Sequence, residues 1–157
     1  MEAAYYHSPL GTIEVRAGSE GISSVSFIDS SPETSSTLPL LHECVHQLNE
    51  YFSGSRKEFS LPLAPEGTAF QKEVWRQLLH IPFGKTRSYL DIAVALGDKN
   101  STRAVGAANG KNPIAIIVPC HRVIGESGAL TGYAGGLWRK QWLLEHEGAN
   151  NQGDLFK

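Results

Sequence analysis

"SYLDIAVALGDKNSTRAVGAANG", residues 88–110, decides the architecture of the second half of this chain. Ser88 and Asp91 stand at the spacing of a capping box, an apolar-periodic run follows, and Gly97 closes it. After "GDKN" a second short helix starts near Ser101 and breaks at Gly110 and Pro113. Two short helices joined by a tight glycine-containing turn are helix-turn-helix grammar, although an ordinary helical hairpin shares it and is commoner. The second helix favours the DNA-binding version. Ala104, Gly106, Ala107, Ala108 and Gly110 leave it almost without side-chain bulk, so another helix or a nucleic-acid groove can approach its backbone. Arg103 sits in its first turn, where a cation opposes the helix dipole, so its purpose lies outside its own helix.

Downstream, "NPIAIIVPCHRVIG" runs from Asn112 to Gly125. The apolar run Ile114–Val118 reads as a buried strand, stopped by Pro119 just before Cys120, His121 and Arg122. A free cysteine is most often a small buried hydrophobe, and Cys44, beside Val45 on a helix face, fits that description. Cys120 fits it less well. Its neighbours His121 and Arg122 can carry positive charge, which favours the nucleophilic thiolate. A zinc site built from Cys44, His46, Cys120 and His121 lacks paired ligand spacing, and strand alternation would turn Cys120 and His121 to opposite faces. No metal is expected. The glycine-rich loop Gly125–Gly136, with Tyr133 in it, has no phosphate-loop lysine; it suits a mobile pocket wall or a plain solvent loop. A last helix, "LWRKQWLLEHE", ends at Gly148, and the final nine residues carry little that could pack.

Upstream, Thr68 and Gln71 form another capping-box signature ahead of an apolar stripe of Phe70, Val74, Trp75 and Leu78. Residues 55–67 read as an irregular lobe boundary. Before them, "LLHECVHQLNEYF" has helical spacing and ends at Gly54, a polar linker spans 29–37, and "TIEVRA" and "ISSVSFI" are strands of an antiparallel sheet. Residues 1–67 carry 3 Lys/Arg against 9 Asp/Glu (3 − 9 = −6), whereas 68–148 carry 10 against 6 (10 − 6 = +4). The formal net charge of −2 therefore conceals a basic lobe, which permits a polyanionic partner without establishing one. Two cysteines are too few for a disulfide scaffold, the first residues show no charged-then-apolar leader pattern, so no signal peptide is expected, and no apolar run approaches the length that spans a bilayer. These features set the expectation of an intracellular protein in a reducing compartment, with no membrane partner.

"RAVGAANGKNP", "PCHRV", "GYAGG" and "LLEHEG", in that order and separation, resemble the O6-alkylguanine-DNA alkyltransferases, also called methylated-DNA–protein-cysteine methyltransferases. The resemblance is continuous from about Gly67 to Gly148 and looser before it. It implies an α/β (α+β) fold: a small N-terminal sheet-and-helix scaffold lobe, ribonuclease-H-like, over 1–66; a winged-helix-like, helix-turn-helix lobe with the alkyl acceptor over 67–148; and a flexible tail, 149–157. It further implies a monomer without cofactor that binds double-stranded DNA through the minor groove. Such a protein flips out O6-alkylguanine, or O4-alkylthymine, and moves the alkyl group irreversibly to its own cysteine. The expected compartment is the cytoplasm, at the nucleoid in a bacterium, or the nucleus in a eukaryote.

Carried onto this chain, the resemblance makes Cys120 the acceptor, His121 its base through a water, Glu147 the group orienting His121, and Asn112 the brace of the cysteine turn. Tyr89 would donate to the departing guanine, and Arg103 would replace the flipped nucleotide in the stack. Tyr133 and the Ala134 amide would line the pocket. Ala104, Ala107, Asn109, Gly110, Arg122, Val123 and Gly135 complete the implied DNA- and substrate-binding set. Three positions depart from common family usage. Leu90 follows the tyrosine where many members have glycine, Ala134 keeps the amide but lacks a serine hydroxyl, and Thr131 stands where some members have glycine. Non-catalytic alkyltransferase-like lesion sensors lack the acceptor cysteine that is present here. Transcriptional activators of the family carry a further DNA-binding domain, and nothing marks the oxyanion hole of a cysteine hydrolase.

Overall fold

Period-two alternation in residues 3–28 yields a meander of β1 (Ala3–Ser8), β2 (Gly11–Gly18) and β3 (Gly21–Ile28), antiparallel in the order β1-β2-β3. Register aligns Ala4 with Val15 and Val15 with Val25, so one face carries a buried row. Helix α1 (Pro39–Ser53) covers that sheet, burying Leu41, Cys44, Leu48 and Tyr51 at helical spacing. Pro39 begins the helix, and Gly54, at φ 89, ends it in the left-handed conformation that glycine adopts without a Cβ penalty. The computed structural model describes every residue except Met1, Ser31, Glu33, Ala129 and 150–157.

Two compact units divide the chain. Residues 1–66 and Pro113–Ile117 form the first; Gly67–Asn112 and the chain from Val118 onward form the second. In the second, α2 (Ala69–Leu78) opens with a complete capping box. Gln71 N donates to Thr68 Oγ1 at 3.1 Å, and Thr68 N donates to Gln71 Oε1 at 2.9 Å. Its buried residues, Val74, Trp75 and Leu78, each contribute on the order of 1.5–3 kcal/mol of apolar burial. Ser88 and Asp91 form a second capping box on α3 (Tyr89–Ala95). A 3-10 turn, Lys99–Ser101, leads into α4 (Thr102–Gly110), and the Trp75 indole fixes that helix by donating to the Ala108 carbonyl at 2.9 Å. A short parallel pair, β4 (Arg87–Ser88) and β5 (Val123–Ile124), and helix α5 (Leu137–His146) complete the unit.

Residues 114–118 are not a strand. Ile114 makes one bridge to Val25, using Val25 N to Pro113 O and Ala115 N to Val25 O, and the chain then turns. Ile116 adopts φ 70, and Ile117 N closes on Ala115 O at 2.7 Å. Four of the five side chains are buried all the same. An apolar run records burial, not extension, and the left-handed Ile116 turns the chain away after a single bridge. Cys120 to Arg122 form a 3-10 turn, so strand alternation has no bearing on how Cys120 and His121 are disposed. The end of the chain also differs from expectation. Ala149 is fully buried with Ile124 and Leu144, while the rest of the expected tail, 150–157, lies outside the described residues.

Candidate active site

The turn that carries Cys120 is held from both sides. Asn112 Nδ2 donates to Val118 O at 2.8 Å, fastening the second unit's chain where it resumes after residues 113–117. The Asn112 side chain also hydrogen-bonds the Cys120 thiol. Cys120 N donates to Val118 O at 2.8 Å, and the Cys120 carbonyl accepts from Asn109 Nδ2 at 3.4 Å. Cys120 is only 6% exposed. Burial pushes its thiol up from the ordinary value, against the Asn112 hydrogen bond and the charge of Lys140, which both favour the thiolate.

Glu147, which caps the C-terminal end of α5, joins two residues of that turn. Its Oε2 lies 2.8 Å from His121 Nε2, and Arg122 grips both carboxylate oxygens, Nε to Oε1 at 2.8 Å and Nη2 to Oε2 at 3.0 Å. Arg122 Nη1 donates to Ile81 O at 2.6 Å, so its guanidinium is committed inside the fold. Burial opposes ionisation of Glu147, but His121 and Arg122 outweigh it and hold the carboxyl below the usual range. For His121, burial outweighs Glu147 and lowers the imidazole, which therefore stays neutral. A carboxylate only accepts, so Nε2 must carry the proton and Nδ1 a lone pair. That Nδ1 is buried and has no partner among the described residues. The arrangement is a neutral base, oriented from behind, one residue from a buried thiol.

Across the same unit, Tyr89 Oη stands 2.6 Å from Thr131 Oγ1. The loop carrying Thr131 is tied down rather than free. Leu130 packs against Ile124, Leu144 and Ala149, Thr131 O accepts from Lys140 Nζ at 3.0 Å, and Arg139 Nη1 donates to Gly135 O at 2.9 Å. Tyr133 is half-buried, yet its hydroxyl is enclosed and has no partner among the described residues. Burial pushes that phenol well up, and Cys120 adds to the effect. Among the described residues no group of three or more His, Cys, Asp or Glu side chains could hold a metal, and no helix is long and apolar enough to cross a membrane.

Residues 69–149 match the family described as 6-O-methylguanine DNA methyltransferase, DNA binding domain, and residues 1–65 match its ribonuclease-like domain. The chain belongs to the 6-O-methylguanine DNA methyltransferase family. A methylated-DNA–protein-cysteine methyltransferase of Methanosarcina acetivorans is 46% identical over 155 residues, covering 95% of this chain and 99% of that one. One from Mycobacterium bovis is 59% identical over 111 residues, 71% of this chain and 67% of that one. The crystal structure of Mycobacterium tuberculosis OGT in complex with DNA superposes with a TM-score of 0.86 at 44% identity, covering 95% and 94% of the two chains.

In this methyltransferase the sequence-predicted residues fall into distinct settings. Cys120, His121, Arg122, Glu147, Asn109 and Val123 are buried, with Asn112 half-buried beside them. Arg122 spends its guanidinium on internal hydrogen bonds, Asn109 donates Nδ2 to the Cys120 carbonyl while its buried Oδ1 has no partner among the described residues, and Val123 offers its carbonyl to Lys140 at 2.6 Å. Arg103, Ala104, Ala107 and Gly110 are exposed on α4, forming the bare face that their spacing predicts. Ala134 is exposed and Gly135 half-buried in the loop.

Sequence reasoning missed Lys140. Its Nζ is fully enclosed, bonded to the carbonyls of Val123 and Thr131, and burial lowers its pKa to about 8 while Cys120 opposes the fall. Adjacency in sequence pointed to His121 and Arg122 as the cations serving Cys120. In the fold His121 is neutral and Arg122 is paired with Glu147, so that electrostatic task falls to Lys140. The available signal was weak: Lys140 lies on the same helical face as Leu143 and Leu144, three and four residues on.

Proposed function

We propose that this chain repairs alkylated DNA by moving the alkyl group from O6 of guanine, or O4 of thymine, onto Cys120, once per molecule. Methylated-DNA–protein-cysteine methyltransferase activity and a role in DNA repair follow from its family. The acceptor assignment is supported by one observation: His121, the residue after Cys120, is oriented by Glu147 and keeps a buried Nδ1 with no partner among the described residues. Cys120 is the one cysteine the sequence places in the second unit. Cys44, in the first unit, lies in the core with its thiol pushed up to about 12, chiefly by burial.

The thiol rests protonated, so activation comes with the reaction. His121 Nδ1 takes the thiol proton through a water, and sulfur attacks the alkyl carbon in line with the departing oxygen. One C–S bond forms, one C–O bond breaks, and guanine regains the proton count that Cys120 gives up. Lys140 stabilises the developing thiolate, and Tyr89 donates to the purine as negative charge builds on it. The thioether has no good leaving group, so the protein is consumed.

Docking uses the exposed face of α4. Ala104, Ala107 and Gly110 admit the backbone to the minor groove, and Arg103 fills the gap left by the extruded base, offsetting part of an unstacking cost of a few kcal/mol. Tyr133, Ala134 and Gly135 wall the base pocket. In this reading 67–148 is the working lobe and 1–66 its scaffold, and the protein acts as a monomer wherever the genome lies, nucleoid or nucleus. Neither docking nor transfer calls for a cofactor.

Intact mass spectrometry after incubation with an O6-methylguanine duplex tests the assignment. The native chain should gain one methyl, mapped to Cys120, while Cys120→Ser should bind the duplex and gain nothing. A methyl on the serine variant, or mapped to Cys44, would sink it.

A further inference from the structure

Thr131 occupies a position that the proposed mechanism leaves without a task, and it is held unusually well for a loop residue. Its carbonyl is fixed by the buried Lys140 ammonium at 3.0 Å, and its neighbour Leu130 is packed against Ile124, Leu144 and Ala149. Its hydroxyl lies 2.6 Å from Tyr89 Oη, at the short end for an O–H···O bond. Tyr89 is fixed as well. It is the first residue of α3, behind the Ser88–Asp91 capping box, and a Cβ at Gly106 of α4 would sit 3.8 Å from its ring, an ordinary contact. Both hydroxyls are thus placed by their own backbones before they meet.

One hydrogen bond joins two groups that can each donate or accept. With Tyr89 as donor, its only proton would point at Thr131, away from any base. With Thr131 as donor, the phenol accepts that bond and keeps its proton for the substrate. A hydroxyl that accepts also becomes a better donor, and the accepted bond stabilises charge that gathers on Oη as the purine draws on its proton.

We propose that Thr131 is a positioning residue for alkyl transfer: its hydroxyl donates to Tyr89 Oη, which fixes the phenol and leaves the phenol proton for the departing guanine. This rests on the reading of Tyr89 as donor to the purine. Thr131 need not touch the substrate. Its influence passes through Tyr89 and is felt in the chemical step rather than in DNA binding.

Single-turnover transfer from an O6-methylguanine duplex, followed against duplex concentration, tests this with Thr131→Val, Thr131→Ala, Thr131→Ser, Tyr89→Phe and the Thr131→Val/Tyr89→Phe double variant. Both hydroxyl deletions should lower the saturating rate roughly fivefold to tenfold and leave the half-saturating concentration alone, the loss of about one hydrogen bond. Thr131→Ser should return the rate to within about twofold of the native one, and Thr131→Val should cost nothing further once Tyr89 is phenylalanine. Iodoacetamide modification of Cys120 at neutral pH should be equally fast in all of them; a deletion that slows it has disturbed the acceptor turn, and that result counts against the proposal. Native rates in both deletions, an equal loss in the Tyr89→Phe background, or a serine variant as slow as valine would overturn it. Failure of the underlying reading is distinct: Tyr89→Phe would then transfer at the native rate.

Discussion

A lysine ammonium enclosed with two carbonyls and no carboxylate partner among the described residues is costly, because burial strips its hydration and nothing of full opposite charge restores it. Its pKa of about 8 expresses that cost. Such a group gains most from an anion that appears only during reaction, and in the proposed mechanism the Cys120 thiolate is one. Lys140→Met should raise the Cys120 pKa further and slow iodoacetamide modification about tenfold at pH 7, one pKa unit's worth, while Lys140→Arg changes it less. A pH profile of that reaction, with thiolate absorbance as a second readout, checks the direction; an unshifted profile would remove Lys140 from the electrostatics of the site. Its two acceptors lie 17 and 9 residues away in sequence, so the only local hint of its burial was the helical face it shares with Leu143 and Leu144. Cys120, His121 and Glu147 were picked out for a different reason: as an ordered set they resemble a family, although their spacing alone determines no contact, and the structure shows His121 and Glu147 hydrogen-bonded at 2.8 Å.

Among the elements, the capping boxes at Thr68 and Ser88 were legible because donor, acceptor and spacing are all local. Both helices of the turn-linked pair and the small-residue face of α4 were legible on the same grounds. The stretch 114–118 was not. Five apolar residues fit a buried turn as well as a strand, and the deciding facts, one bridge to Val25 and the left-handed Ile116, depend on chain distant in sequence. The parallel pair β4–β5, two residues each, is too short to leave a periodicity at all. Ser88 has a further role because the helix it caps starts with Tyr89. Ser88→Ala should destabilise the protein by about 1 kcal/mol, and a chemical denaturation curve will show it. The transfer rate should fall as well, since the first turn of α3 then frays around the phenol. Full activity at lowered stability would separate the cap from the chemistry.

For the molecule as a whole, the buried ionisable groups dictate how stability varies with pH. Glu147 is held below its unfolded value of 4.5, so its contribution is present above that pH and is lost as pH falls. Glu147→Gln should lose less stability between pH 7 and pH 4 than the native chain does. At pH 7 it should already be about 3–5 kcal/mol weaker, because Arg122 is left buried without its counter-charge. Urea titrations at the two pH values decide this, and parallel losses in both proteins would refute it. On the alkaline side two effects oppose each other. Cys44 and Cys120 stay protonated in the fold while the unfolded chain ionises them from about pH 9, which lowers stability as pH rises. Lys140 releases its proton near pH 8 in the fold but near 10.5 when unfolded, which raises stability across that window. Trp75 has a consequence of another kind. Its buried indole is hydrogen-bonded to the last turn of α4, whereas Trp138 is 56% exposed beside Arg139. The protein therefore carries a native fluorophore wired to α4, and a shift of that helix should be visible as a change in emission without attaching a dye.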